Sequence, residues 1–426
     1  MMRLRVPPAL KHRGFFLLWL GQLISIAGSQ MQIWALFWHI RTMTHHPIAL
    51  GGVGLARILP VIFFSLVGGA VADSYNRRKI LFVTQIAAAL TALALGLLTQ
   101  FGHIGLWHLY ALTALQAVAL AFDLPARQAL IPNLVPARDL PNAFSLTSIG
   151  FQAGAVIGPA LTGFVIVLAG QEGVYYINAA SFLAVILALA LLGEVPQKRS
   201  VRAGGVSWTA IREGMQFIVA RPIILGSMLL DFVATFFASA NTLMPIIARD
   251  ILAVGVVGYG WLSAAQSVGA VVAALIISQV QALRRQGVLF LGSVLVFGLG
   301  TIFFGLARSF VLAWILLAVT GAADAVSTII RNTIRQINTP DHIRGRMTSI
   351  NQIFFQGGPQ LGEMEAGAVA QILGAPLAII TGGIGCIAGL GLIVAKWPQL
   401  ISYDHHAPVS EGVAAVPAAS DSGLSA

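Results

Sequence analysis

Apolar runs recur along the whole chain, each closed by a few charges, prolines or glycines before the next begins. A helix needs about 20 such residues to cross a bilayer. The punctuation predicts twelve spans, over residues 14–41, 48–72, 79–100, 105–130, 140–169, 173–193, 222–248, 257–282, 287–307, 309–333, 344–372 and 375–397. The longest interval between spans, 194–221, falls between the sixth and seventh. The chain therefore divides into a basic segment 1–13, a six-helix bundle 14–193, a central loop 194–221, a second bundle 222–397 and a tail 398–426. Within the central loop Ile211, Met215, Ile218 and Val219 recur at helical spacing beside Arg212, Glu213 and Arg221. That is the pattern of a short amphipathic helix on a membrane surface. The tail is rich in Ala, Ser, Pro and Gly and is expected to be disordered.

Composition agrees with an all-α integral membrane protein. Of 426 residues, 57% are hydrophobic and 9% charged, against roughly 25% charged in soluble domains. A net charge of +10 raises the question of nucleic acid, but its distribution answers it. With the amino terminus placed in the cytoplasm, 21 of the 25 Lys and Arg residues lie on that side. Arg41, Arg249 and Arg308 lie on the other, and Arg57 lies within a span. This is the positive-inside asymmetry, with both termini cytoplasmic and basic loops facing anionic lipid. Nucleic-acid binding is not expected.

The first span contains Gln22, Ser25 and Gln30 and has no small-residue cleavage site, so it reads as a retained helix rather than a signal peptide. A single cysteine, Cys386, excludes a disulfide or cysteine metal cluster within the chain. Asp404-His405-His406 has no further ligand beside it, and no metal site is expected. The chain has no Walker loop, GxSxG or HExxH motif, so neither an enzymatic activity nor a cofactor is expected.

The two halves are related. Residues 127–163 lie without gaps on 331–367. The overlay matches Arg127 with Arg331, Pro136 with Pro340, Phe151-Gln152 with Phe355-Gln356, and Gly154, Gly158 and Gly163 with Gly358, Gly362 and Gly367. The fifth and eleventh spans are thus equivalent parts of a duplicated unit, related by an axis along the membrane normal.

The link between the second and third spans carries Gly69, Asp73, Arg77, Arg78 and Lys79. With twelve spans, cytoplasmic termini and two repeats, it resembles the signature of the major facilitator superfamily over residues 10–400. Ser74-Tyr75-Asn76 replaces the usual glycine between acid and basic cluster, and the second-half copy is reduced to Arg284-Arg285. The run DLPARQALIPNLVPARDLPNAFSL from Asp123 and the run QLGEMEAG from Gln360 are similar to the branch of enterobactin exporters and macrolide efflux proteins. Gly150-x-x-x-Gly154-x-x-x-Gly158-Pro159-x-x-x-Gly163 resembles the glycine–proline motif of drug/proton antiporters, with Thr162 at a usual glycine position. Glycines every fourth residue allow close helix contact, and Pro159 permits a bend.

The resemblance implies a monomeric secondary transporter of a bacterial inner membrane that exports an amphipathic small molecule by proton antiport and alternating access. Its partners would be that substrate, protons and the bilayer. Import of a sugar or organic acid, or a non-transporting sensor or scaffold, are the alternatives. It also implies that Asp73 meets Arg127 at an inner gate, with Asp123 one turn before Arg127.

An ionisable side chain at a helix centre costs about 2.5–3.5 kcal/mol or more, so each needs a partner, a cavity or a task. Asp231 and Asp324 are candidates for proton coupling. Asp324 also lies two turns before Arg331 on one helix face, where a structural salt bridge is the alternative. Arg57, with no acid near it in sequence, is a candidate contact for an anionic substrate group. Glu363 and Glu365 point about 200° apart, and Glu363 is the one expected at the cavity. Gln22, Gln116, Asn241 and Gln266 are candidates for lining it, and Gln152 and Gln356 for facing one another across it. Hydrogen bonding between helices, without substrate, is the alternative for all six.

Overall fold

The computed structural model describes residues 7–193, 195, 208–239, 241–280 and 285–404, apart from the side chains of 66, 73, 208–211, 341–346, 348, 349, 352 and 353. The expectations for the Asp73 side chain, for Arg284, for His405-His406 and for the tail beyond 404 lie outside the described residues.

The apolar runs form long helices. In the first half these are α1 (Arg13–Met43), α2 (Pro47–Ser74), α3 (Arg77–Gln100), α4 (Leu106–Leu130) and α5 (Leu140–Leu192). The short α6 (Trp208–Val219) precedes the second half. That half contains α7 (Pro222–Phe237), α8 (Met244–Ile246), α9 (Gly255–Ser278), α10 (Gln286–Leu306), α11 (Phe310–Ile337), α12 (Asp341–Leu373), α13 (Ala375–Lys396) and α14 (Gln399–Ser402). Proline opens α2, α7 and α13, where its missing N–H costs no hydrogen bond. Asn76 caps α3 by accepting from the Lys79 N–H at 3.2 Å.

Among the described residues, ten helices are long and apolar enough to cross a membrane. One of them holds two crossings, because α5 reverses at Gly170, whose φ of 68° suits only glycine without strain. The reversal is visible in the packing: Gly154 and Gly158 before it, and Asn178 and Ser181 after it, all lie against residues 26–31 of α1. The remaining crossing is α12, whose Gln356, Gln360, Glu363 and Glu365 make it more polar.

The seventh span differs from the continuous helix expected over 222–248. Helix α7 stops at Phe237, and the chain resumes as a 3-10 turn at Asn241–Leu243, α8 and a π turn at Ile247–Ile251. Pro245 accounts for the 3-10 turn at Asn241: it has no N–H for the Asn241 carbonyl and its ring crowds that turn.

The glycine frame shows how the repeats pack. Gly154 and Gly158 lie against α1, and their counterparts Gly358 and Gly362 lie against α7. Gly163 lies against Val256 and Val257 of α9, and its counterpart Gly367 lies against Gly51 of α2. The first two positions of each motif therefore build their own bundle, while the last joins the two bundles. The motif does both jobs.

Among the described residues the bundles join at one end only. Calling the end with Arg77-Arg78-Lys79 the basic end and the other the distal end, a single apolar core at the distal end draws on both bundles. It contains Trp34, Phe37 and Trp38 of α1, Leu50 and Val53 of α2, Tyr259 and Leu262 of α9, and Ala366 and Ala370 of α12. Toward the basic end the core separates. Leu18, Leu81, Leu130 and Leu189 cluster within the first half, and Leu230, Phe290, Ile334 and Leu390 within the second. The molecule is a V closed distally.

At the basic end of the second bundle, residues 397–404 form a strap. Leu400 is buried against Gly226, the Gly287 N–H donates to the Tyr403 carbonyl at 2.8 Å, and Asn338 Nδ2 donates to Tyr403 Oη at 3.0 Å. The Arg285 N–H donates to Asp404 Oδ2 at 3.0 Å. An acid missing from the 284–285 link in sequence thus arrives from the strap. Leu400→Ala is expected to lower stability by about 3 kcal/mol, measured by thermal unfolding of the solubilised protein.

Helix α6 packs on α7 and α12. Its Ile218 is buried with Ile224, Met228, Met347 and Ile350, whereas Met215 and Val219 are exposed.

Candidate functional site

The polar residues inside the helices fall into four groups. In the first bundle, Asn178 Nδ2 donates to Gln32 Oε1 at 2.6 Å, and Gln32 Nε2 donates to Gln116 Oε1 at 2.7 Å. This chain ties α1, α4 and the second arm of α5. Nearer the basic end, Asp123 pairs with Arg127 and accepts from Thr84 Oγ1 at 3.1 Å and Gln85 Nε2 at 2.6 Å. Here Arg127 is occupied within its own helix, and the inner-gate partner expected for it, the Asp73 side chain, lies outside the described residues. The cations of the link are anchored locally. Arg77 Nη1 donates to the Ala129 carbonyl at 2.9 Å and Arg78 Nε to the Leu189 carbonyl at 2.8 Å. Gly69 has open space beside it, whereas Gly68 is the glycine pressed against the Ala121 carbonyl of α4.

In the second bundle, Asp231 of α7 pairs with Arg331 of α11, both side chains almost wholly buried. Arg331 also donates to Thr328 Oγ1 at 2.6 Å. The alternative pairing of Arg331 with Asp324 does not form, and Asp324 makes no hydrogen bond or ion pair among the described residues. Two helical turns separate Asp324 from Arg331 by about 10 Å along one face, and the aspartate side chain is short, while Asp231 meets Arg331 across the helix interface.

The fourth group joins the bundles. Arg57 Nη1 of α2 donates to Glu363 Oε1 of α12 at 3.3 Å. Arg57 is ten residues from the start of α2 and Glu363 ten from the end of α12, so both sit about 15 Å below the distal end at 1.5 Å per residue. That is the apex of the V. Gln360 is one turn from Glu363 on the same face, and the 3-10 turn at Asn241 packs against both α2 and α12. Asn241 Oδ1, Gln360 Oε1 and Glu363 Oε2 are buried and accept no hydrogen bond among the described residues. On the opposite interface Pro159 occupies the repeat position of Glu363, with its carbonyl against Gly260, so the charged apex belongs to one interface alone.

The remaining candidates scatter. Gln22 is buried, with Nε2 unpartnered. Gln266 Nε2 donates to Thr320 Oγ1 at 3.4 Å. Gln152 is exposed and Gln356 half-buried, with no bond between them. Gln32, Asn178, Thr84, Gln85 and Gln360 were missed by the sequence reading. For Gln360 a signal existed, since it precedes Glu363 by one turn.

An apolar groove of about 480 Å³ runs between α2 and α4, lined by Leu55, Leu59, Trp107 and Tyr110. None of the polar groups opens into it.

Further closures seal the distal end. Arg41 of α1 pairs with Asp250 of the π turn. Tyr259 Oη of α9 donates to the Trp34 carbonyl at 2.7 Å.

Comparison with known proteins places this architecture. Residues 7–419 match the family described as transmembrane secretion effector. An MFS-type transporter, YfiS, of Bacillus subtilis (strain 168) is 27% identical over 414 residues, which cover 90% of this chain and 94% of that one. The enterobactin exporter EntS of Escherichia coli O81 (strain ED1a) is 28% identical over 346 residues, covering 80% and 81%. Among solved structures, a bacterial homolog of the human lysosomal transporter Spinster, inward-facing and unoccupied, superposes with a TM-score of 0.71 at 15% identity, covering 93% of this chain and 99% of that one. A bacterial homologue of the iron transporter ferroportin, inward-facing, gives 0.66 at 16% identity, covering 92% and 99%. The matching family spans nearly the whole chain and the fold agrees with it, so this chain belongs to the transmembrane secretion effectors, membrane transporters of the major facilitator type.

Proposed function

We propose that the protein is a proton-coupled exporter of an amphipathic small molecule, working as a monomer in a bacterial inner membrane with both termini in the cytoplasm. The observation that carries this reading is the one-ended fusion of the two bundles, with Arg57 and Glu363 at its apex. Two rigid halves joined distally and separate at the basic end can exchange that contact for its opposite by rocking, which is alternating access. The cytoplasmic bias of Lys and Arg makes the open basic end the cytoplasmic one, so the conformation is inward-facing. Export is the direction named for the relative EntS, and it accords with the glycine–proline motif of α5.

Asp231, Asp324 and the apex residues are the proposed carriers of coupling and substrate contact. In proteoliposomes with an imposed pH gradient, a panel of macrolides, catecholate siderophores and ethidium is expected to contain at least one compound that moves against its own gradient and loses that movement when the pH gradient is collapsed. Uptake in symport with protons instead would establish an importer. An absence of any gradient-driven flux, in a protein that still binds members of the panel, would favour a sensor.

A further inference from the structure

Asp324 of α11 is partly exposed and meets no donor or cation among the described residues. The helix shows where it points. Gly321, about 60° round the helix on one side, is pressed against the Gln266 carbonyl of α9, and Thr320, about 40° to the other, lies against Gly300 of α10. The exposed Val311, Ile315 and Val319 stand on the far face, roughly 140–180° away, toward lipid. Asp324 therefore turns inward between α9 and α10, as does Arg331, about 20° from it, in reaching Asp231 of α7. It is fourteen residues from the start of α11, so it lies about 21 Å from the distal end at 1.5 Å per residue. That is on the basic side of the Arg57–Glu363 pair, where the V has begun to open.

The opposite wall is apolar. Helices α4 and α11 begin at Leu106 and Phe310, the same offset that lays residues 127–163 on 331–367. Leu120 thus corresponds to Asp324, Leu124 to Thr328 and Ile131 to Arg335. Leu120 is 52% exposed, yet it shares a helix face with the buried Asp123–Arg127 pair. Its exposure is to the cavity and not to lipid.

We propose that Asp324 binds a positively charged group on the exported molecule, which makes the substrate an amphipathic cation, an amine or onium compound, with its apolar body against Leu120 and Leu124 of the first bundle. The proposal rests on the transport reading above and adds the chemical class of what is carried.

The surrounding groups favour a cation. Thr320 Oγ1 donates to the Leu317 carbonyl and Thr328 Oγ1 accepts from Arg331, so the hydroxyls one turn either side of Asp324 are engaged elsewhere. Asp231 and Arg331 neutralise each other, as do Arg57 and Glu363. Arg335 binds Asn332, about 16 Å further toward the basic end. Glu365 of α12, also without a partner among the described residues, lies within the distal seal, about 12 Å from the end of its helix. Asp324 is left as the unbalanced charge at the depth where the cavity closes, and a carboxylate in a span needs a partner or a task. A cation entering the cavity supplies the partner, while an anion is repelled by the same group. Of the panel above, ethidium and macrolides bearing an amine fit, and catecholate siderophores, which are anionic, do not.

Tetraphenylphosphonium and tetraphenylborate have the same shape and opposite charge, and their equilibrium binding to the full chain in nanodiscs, with empty nanodiscs subtracted, tests the assignment. The cation is expected to bind more tightly than the anion. Asp324→Asn, which keeps the shape and removes the charge, is expected to weaken the cation about tenfold, the size of one ion contact in a cavity partly open to water, without weakening the anion. Asp324→Glu is expected to keep the preference. Leu120→Lys, which sets a cation on the opposite wall and leaves Asp324 in place, is expected to weaken the cation and strengthen the anion, and it reads the site even where Asp324→Asn fails to reach the membrane. Equal affinity for the two ions in the unaltered chain, no binding of the cation, cation affinity unmoved by Asp324→Asn, or both affinities unmoved by Leu120→Lys would overturn the assignment. If the cation binds through Asp324 but does not cross under a pH gradient, the site stands and the transport reading is what fails. If solutes cross under the gradient with no dependence on their charge or on Asp324, the transport reading stands and the site is what fails.

Discussion

Asp231→Asn is expected to destabilise the protein by about 3–5 kcal/mol, because it leaves the Arg331 guanidinium buried without its counter-ion. The pair lies between α7 and α11, and Arg335 on the next turn adds a second cation, bonded to Asn332. Arg331→Met alone is expected to cost a similar amount by stranding the carboxylate. The double variant Asp231→Leu with Arg331→Met removes both charges and is expected to recover most of the loss, since a buried pair gains little over apolar side chains of similar volume. Thermal unfolding of the solubilised protein measures all three. Proton-driven flux in the double variant then separates the two roles open to Asp231. A stable double variant that transports shows a structural pair, and a stable one that does not shows a coupling residue.

Gly54→Ala is expected to loosen the distal seal without loosening either bundle. A Cβ at Gly54 would collide with the Gln360 carbonyl and stand 2.9 Å from Glu363 Cβ, and Gly51 faces the same helix at similar range. The obstacle is backbone, which yields only by moving α2 away from α12. Overpacking of this kind costs about 1–3 kcal/mol, or roughly five- to 150-fold in the ratio of closed to open molecules. The cost falls on the closed state alone, because α2 and α12 part when the distal end opens. Distances between spin labels attached at positions 48 and 372, on the distal ends of α2 and α12, are expected to lengthen while the thermal midpoint changes little. Gly158→Ala provides the contrast. Its Cβ would lie 2.6 Å from the Ala27 carbonyl of α1, inside one bundle, so it is expected to lower stability and leave the distance distribution in place.

Gly158 and its neighbours show what a repeat motif conceals. Gly154, Gly158 and Gly163 read in sequence as one smooth helix face, yet the first two pack within a bundle and the third between bundles. The internal overlay supplied the correspondence with Gly358, Gly362 and Gly367, because equivalent residues must pack alike in both halves. Which neighbour each one meets depends on how the halves are docked.

The sequence by itself determined the class, the helices and the duplication. Hydrocarbon admits only helices whose backbone bonds are internal, so runs of apolar residues translate directly into spans. It missed the interruption of the seventh span, although Pro245 was a signal for the turn at Asn241, because a proline in a span can also be absorbed as a bend, as at Pro159. The tertiary structure alone decided the partners of the buried charges. Asp324 and Arg331 share a helix face but do not pair, while Asp231 and Arg331 are 100 positions apart and do, as do Arg57 and Glu363 at 306. Burial makes a counter-ion compulsory, but its identity is set by which helices touch. That is fixed by packing across the whole molecule, and no local spacing encodes it.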